Sequence, residues 1–246
     1  IDSLTTAIEA GDHSQATITL TTLQKLAIND PSLTPLRRRA EAIPVVTAAL
    51  TAAATAAEQL DFEQAVTDAQ TALAADPNSQ RATKAHNRYH GLLEDQRYRQ
   101  AMSGGYLALE RGEFANAETA FQRAASLQVG STEAQTALSE LASARLDARL
   151  RQLRQQGAAK ESAEDWQGAE AVYQEVLAID PSLVFAQEGL SRAQPRKQLD
   201  EQIKQILAEP ERLVDNNALS SALAVLQKAQ AISNWGTVLG NQLASL

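Results

Sequence analysis

Gly112-Glu113-Phe114-Ala115-Asn116-Ala117 and Glu164-Asp165-Trp166-Gln167-Gly168-Ala169 carry the same order of residue types 52 positions apart. Two more copies precede them, Gly11-Asp12-His13-Ser14-Gln15-Ala16 and Leu60-Asp61-Phe62-Glu63-Gln64-Ala65. The shared alanine recurs at Ala16, Ala65, Ala117 and Ala169, spaced by 49, 52 and 52 residues, and Ala222, 53 further on, marks a degraded fifth copy. A period of this size is the signature of an array in which no copy buries its apolar face alone.

Working outward from these turns, helix stops fall at Asp30-Pro31-Ser32, Asp76-Pro77-Asn78, Gly130-Ser131 and Asp180-Pro181-Ser182. Before each stop lies a helix of about four turns with one apolar stripe: Ala117, Phe121, Ala124 and Ala125 in one copy, Ala169, Val172, Tyr173, Val176 and Leu177 in the next. No segment alternates with period two, so the chain is expected to be all-α. The stretch from Ser131 to Glu164 has no proline, and its stripe (Ala134, Leu138, Leu141, Ala142, Leu146, Leu150, Leu153, Gly157) predicts a helix of roughly 50 Å. Ser79 to Arg111 reads likewise, although Arg97 interrupts its stripe and Gly104-Gly105 loosens it. Ser79 and Ser131 stand where N-caps belong.

Composition narrows the function. The net charge of −8 argues against nucleic acid, whose phosphates require a dominant Lys/Arg surface. The absence of cysteine removes disulfides, thiol nucleophiles and thiolate metal sites. The longest uncharged run, Ala42 to Ala57, is too short and too weakly apolar to cross a bilayer, so no membrane insertion is expected. Both ends lie in helical pattern, which suggests a piece of a longer chain.

The turns and stripes resemble the tetratricopeptide (TPR) repeat, with a small residue in the first helix, a Gly-Asp-aromatic turn, an early Ala in the second helix, then an aromatic, Ala and Pro. Gly157, Asp165, Trp166, Ala169, Tyr173 and Pro181 match it in one copy, and Gly105, Gly112, Phe114, Ala117, Phe121 and Ala124 in another, where Val129 replaces the Pro. Ala53, Phe62, Ala65, Ala72 and Pro77 match in a third, Gly11, Asp12 and Ala16 in the first, and the likeness fades after Pro195. TPR copies repeat every 34 residues, so the extra residues imply first helices lengthened by about five turns. The resemblance then implies one helical repeat array over 1–246, with copies at about 1–31, 32–78, 79–130, 131–181 and 182–246. Long and short antiparallel helices would alternate in an elongated rod. Alternatively each extension breaks into a third helix near Asp95–Arg97 or Ser143–Asp147.

Chemistry-bearing residues are sparse. His86, His90 and Glu94 share a helix face but read as a solvated polar surface, and no metal or cofactor is expected. Arg145, Arg149, Arg151 and Arg154, and Arg37-Arg38-Arg39, read as charged helix surface. No nucleophile–base spacing or phosphate loop occurs, so the chain is expected not to be an enzyme. The TPR resemblance implies a peptide groove on the exposed face of the first helices, which places Arg99, Met102 and Tyr106 there. Arg151, Arg154 and Ala158 stand one period on, and Thr47, Leu50 and Ala54 one period before. The Asn and Lys of the family's carboxylate pockets are missing from these positions, which disfavours chaperone tails. The expected function is a non-catalytic scaffold for protein or peptide segments. The alternatives are a rigid spacer between flanking domains or a membrane anchor, and the regulatory array of a larger enzyme. Ala, Thr and Gln richness with few Lys is similar to bacterial envelope TPR proteins, which implies a periplasmic or envelope setting. Oligomeric state stays open.

Overall fold

A left-handed residue followed by an acidic one ends the first helix of each repeated copy, and the four turns close in the same way. The computed structural model describes residues 1–26, 31–232 and 236–245. Among them are eleven α-helices, one 3-10 helix and no strand. In chain order the helices are α1 (Asp2–Ala10), α2 (His13–Leu26), α3 (Leu33–Glu58), α4 (Phe62–Ala75), α5 (Gln80–Glu110) and α6 (Phe114–Leu127). They continue with α7 (Thr132–Ser162), α8 (Trp166–Ile179), α9 (Val184–Ala208), the 3-10 helix (Pro210–Val214), α10 (Asn216–Gln230) and α11 (Thr237–Ser245). Asp30, in the first expected stop, and Leu246, in the last expected helical stretch, lie outside the described residues.

The positive φ values are 75° at Gly11, 62° at Leu60, 73° at Gly112 and 57° at Glu164. The next N–H in each copy (Asp12, Asp61, Glu113, Asp165) reaches back five residues to a carbonyl at 2.9–3.0 Å, a Schellman closure. Asp12, Asp61 and Asp165 then cap the following helix by accepting from the N–H of Gln15, Gln64 and Gly168 at 2.9, 3.0 and 2.9 Å. Ala16, Ala65, Ala117 and Ala169 are wholly buried, and α2, α4, α6 and α8 are each 14 residues long. The fifth copy departs from this pattern. Ala222 is buried, but the capping Asp215 sits one turn further from it than in the other copies, after the inserted 3-10 helix.

Ser79 and Ser131 do cap α5 and α7, accepting from Ala82 and Ala134 N–H at 3.3 and 3.2 Å. Both long helices run 31 residues without a break through Asp95–Arg97 and Ser143–Asp147. Those segments are nevertheless where the packing changes.

The chain forms two compact bodies, Ile1–Leu141 and Ala142–Leu246. In the first, three main apolar cores follow one another, with a smaller one of Val46, Ala72 and Ala82 between the first two. The first joins Leu4 and Ile8 of α1, Ala16 and Leu20 of α2, and Ala40 and Ile43 of α3. The second joins Ala53 and Ala56 of α3, Phe62, Ala65 and Ala69 of α4, and Tyr89 and Leu93 of α5. The third joins Tyr98, Ala101 and Met102 of α5, Ala117, Phe121 and Ala124 of α6, and Ala134, Ala137 and Leu141 of α7. Each core therefore needs three segments, and α3 and α5 are each shared among cores. In the second body, Leu153 of α7, Tyr173 and Val176 of α8 and Ala186 and Ala193 of α9 make one core. Leu199 and Ile203 of α9, Ala229 of α10 and Leu239 of α11 make the next.

The structure corrects three sequence expectations. The unbroken stripe along α7 does not exist, because Ala142 and Leu146 are exposed and nothing from 142 to 152 is buried. Helix α3, which contains the run Ala42–Ala57, is long enough and apolar enough in composition to cross a membrane. In the structure 28% of its most apolar window is buried: Ile43, Val46, Ala53 and Ala56 pack against neighbouring helices, while Val45 is 52% exposed. Arg39 is largely enclosed, whereas Arg37 and Arg38 stay on the surface.

Candidate binding groove

Where a long helix passes from one core to the next, the turn of the earlier core and the helix ends of the later one meet on its flank. On α3, before the exchange of cores between Ile43 and Val46, Arg39 sits between carboxylates. Its Nε lies 3.1 and 3.0 Å from the two oxygens of Asp76, which is 3% exposed, and its Nη2 bonds Glu9 of α1 and the Asn78 carbonyl (3.2 Å). Glu9 also accepts from the Gln80 N–H at the start of α5, at 3.1 Å. In the second body the junction along α9 uses the same chemistry. Glu164 accepts from Val238 and Leu239 N–H at the start of α11 (2.9 and 3.2 Å) and stands 4.0 Å from Arg196. The Arg196 guanidinium lies 4.7 Å over the Trp166 ring. At both places a carboxylate favours a helix N-terminus and neutralises an arginine.

At the junction between the second and third cores Gln128 Nε2 donates to Asp95 at 3.0 Å and Gln96 Nε2 to the Leu60 carbonyl at 3.4 Å, and clefts remain beside these contacts. One cleft there, of about 520 Å³, is bordered by Leu60, Asp61 and Glu63 of the α3–α4 turn, Gln96, Arg97 and Gln100 of α5, and Arg123 of α6. A second, of about 370 Å³, shares Arg97, Gln100 and Arg123 and continues over Ala101, Gly104, Asn116, Thr119 and Ala120. The three shared residues make the two clefts one groove. Arg97 Nη2 meets Glu63 at 2.8 Å, with 41% and 69% of the two side chains exposed. The Arg123 guanidinium has no partner among the described residues, although the Arg123 carbonyl accepts from the Ser126 hydroxyl at 2.7 Å. Gly104 exposes bare backbone: a Cβ built there meets nothing within 4 Å, whereas one at Gly105 would lie 2.4 Å from the Phe121 ring.

The residues chosen from sequence fall elsewhere. Arg99 and Tyr106 are exposed on α5 away from this groove, but Met102 is buried, at 5% exposure, in the third core. Met102 is thus packing and not surface, because α6 and α7 together close over that side of α5. The Tyr106 ring stands edge-on to Phe121 at 5.1 Å. Burial, then the carboxylates of Glu140 and Glu133, raise its hydroxyl pKa above the ordinary value. In the second body, Arg151 is exposed and Arg154 lies 5.3 Å over the Phe185 ring, while Arg149 pairs with Glu175 at 2.6 Å. Among the described residues no group of three or more His, Asp or Glu side chains converges; His90 meets Glu94 at 3.5 Å, and its ring lies 5.9 Å from that of His86. A further cleft, of about 610 Å³, lies where α9, the 3-10 helix and α10 meet, but its Arg212 is closed on Glu209 at 2.7 Å.

Arg97 and Gly104 had a signal in the sequence, as the two anomalies of the α5 stripe. Arg123 had none, since a lone arginine on a short amphipathic helix is ordinary surface. Comparisons with protein-family models, curated proteins and solved structures find no match.

Proposed function

We propose that the chain is a non-catalytic scaffold, a TPR-like helical repeat array that binds segments of partner proteins. The observation that carries this reading is the open groove along α5 and α6. It offers a guanidinium with no internal partner, side-chain amides and bare backbone at Gly104, which are means of holding a peptide. The four identical turns support a repeat origin. The groove pairs no nucleophile with a base, which supports binding over catalysis.

Selection of a random peptide library on the whole chain tests this reading. We expect binders whose capture is lost in Gly104→Leu, a change whose Cβ meets nothing within 4 Å and whose side chain occupies the groove floor. A rigid spacer is the second reading, favoured by the unbroken 31-residue helices α5 and α7. In that case no binder would depend on Gly104.

A further inference from the structure

We propose that the groove at the second junction receives an acidic segment of a partner protein, whose carboxylates pair with Arg123 and Arg97. This inference rests on the scaffold reading and adds the chemistry of the occupant.

The first argument is internal to the chain. At two other places within a single body the chain brings its own carboxylate to an arginine of a long helix: Glu9 to Arg39, and Glu164 to Arg196 at the exchange of cores along α9. At the second junction the left-handed turn position that Glu164 fills in the later copy is Leu60, which is 67% exposed and has no charge to offer. The Arg123 guanidinium is left without a partner. Arg97 meets Glu63 in an exposed pair of the kind that contributes little to stability and exchanges readily for a better acceptor.

The second argument is the lining. In a chain of net charge −8, the part of the groove over Gly104 has two arginines, Gln100, Asn116 and Thr119 along its border and no carboxylate. Guanidinium groups bind carboxylates through paired N–H donors, and the amide of Gln100 adds a further donor, whereas the Asn116 amide already donates to Glu113 at 2.9 Å. The small side chains of Ala101 and Ala120 and the bare Gly104 let a backbone come close. From Gln96 to Gly104 the helix rises about 12 Å, the length of three or four extended residues. The site thus fits a short acidic motif.

The test is fluorescence anisotropy with the whole chain and a labelled hexapeptide of alternating Glu and Asp, beside its Gln/Asn counterpart. We expect the acidic peptide to bind at least about tenfold more tightly than the neutral one, with affinity falling as salt rises. Arg123→Gln should weaken it by about tenfold, and Gly104→Leu should abolish it. Arg123→Gln should keep the parent's circular dichroism and melting profile, since the Arg123 guanidinium is exposed and unpaired, and Gly104→Leu should keep the circular dichroism and melt no lower than the parent, since leucine is the better helix former. Equal binding of the two peptides, no effect of either substitution, or tighter binding of a single-stranded oligonucleotide would overturn the proposal. If library binders depend on Gly104 but are neutral or basic, the scaffold reading stands and the acidic occupant falls. If no peptide of any charge binds, both fall.

Discussion

Gly104 and Gly105 are chain neighbours with opposite physical roles. A side chain at Gly105 would collide with the Phe121 ring, so Gly105→Ala should cost about 1–3 kcal/mol through overpacking. Gly104→Ala meets nothing and should stabilise by about 0.5–1 kcal/mol, because alanine is the better helix former. Chemical denaturation of the two variants checks this difference in sign. A second pair of residues shows how a local defect is repaired at a distance. Pro44 inside α3 has no N–H for the Ala40 carbonyl, and His13 Nδ1 lies 3.2 Å from that oxygen. A carbonyl can only accept, so the imidazole meets it with Nδ1–H. His13→Ala should cost about 1 kcal/mol in the parent and close to nothing in a Pro44→Ala background, where residue 44 supplies the donor. Equal costs in both backgrounds would show that the contact does not matter. The small residues Gly105 and Gly157 were legible in the sequence by their fixed offset from Phe121 and Tyr173. Met102 and Arg123 were not, because which face of a helix is covered depends on segments dozens of residues away.

Among the elements, the short helices were the most legible, since turn residue, acidic cap and alanine are adjacent in the chain and act locally. The capping Asp165 of α8 is held below the ordinary carboxylate range, chiefly by Lys160 at 2.7 Å and then by the Gly168 N–H. Asp180, at the far end of α8, is lowered by the Ser182 hydroxyl and N–H. A carboxylate whose folded pKa lies below its unfolded one contributes stability that is complete above about pH 4. That contribution is lost as pH falls through the lowered value. The second body should therefore lose stability below about pH 4, and Asp165→Asn should flatten this acid limb in melts followed by circular dichroism. An unchanged limb would remove Asp165 from the cause. The continuity of α5 and α7 was one of two readings the sequence left open, because Asp95–Arg97 and Ser143–Asp147 break the apolar stripe without breaking helix propensity. The stripe breaks there because one core ends and the next begins, an exchange that needs no bend. Pro44 and Pro195 occupy the corresponding places in α3 and α9, between Ile43 and Val46 and between Ala193 and Leu199.

On the scale of the whole molecule, the period and the all-α class could be read from sequence, but the packing unit could not. Periodicity reports which residues recur. It does not report that half of each long helix completes the preceding hairpin. Hence the repeat running from 79 to 130 is cut in the structure between Leu93, in the second core, and Tyr98, in the third. The groove at that cut follows from the same sharing, because two cores seated on one helix leave its flank uncovered between them. Native-state hydrogen exchange of Phe121→Ala, a loss of about 3–5 kcal/mol confined to the third core, tests this sharing most directly. We expect amide protection to fall from Tyr98 through Leu127 while Ala82 to Leu93 keep theirs, with the boundary inside the unbroken α5. Loss of protection across all of Gln80–Leu127 as one block would contradict it.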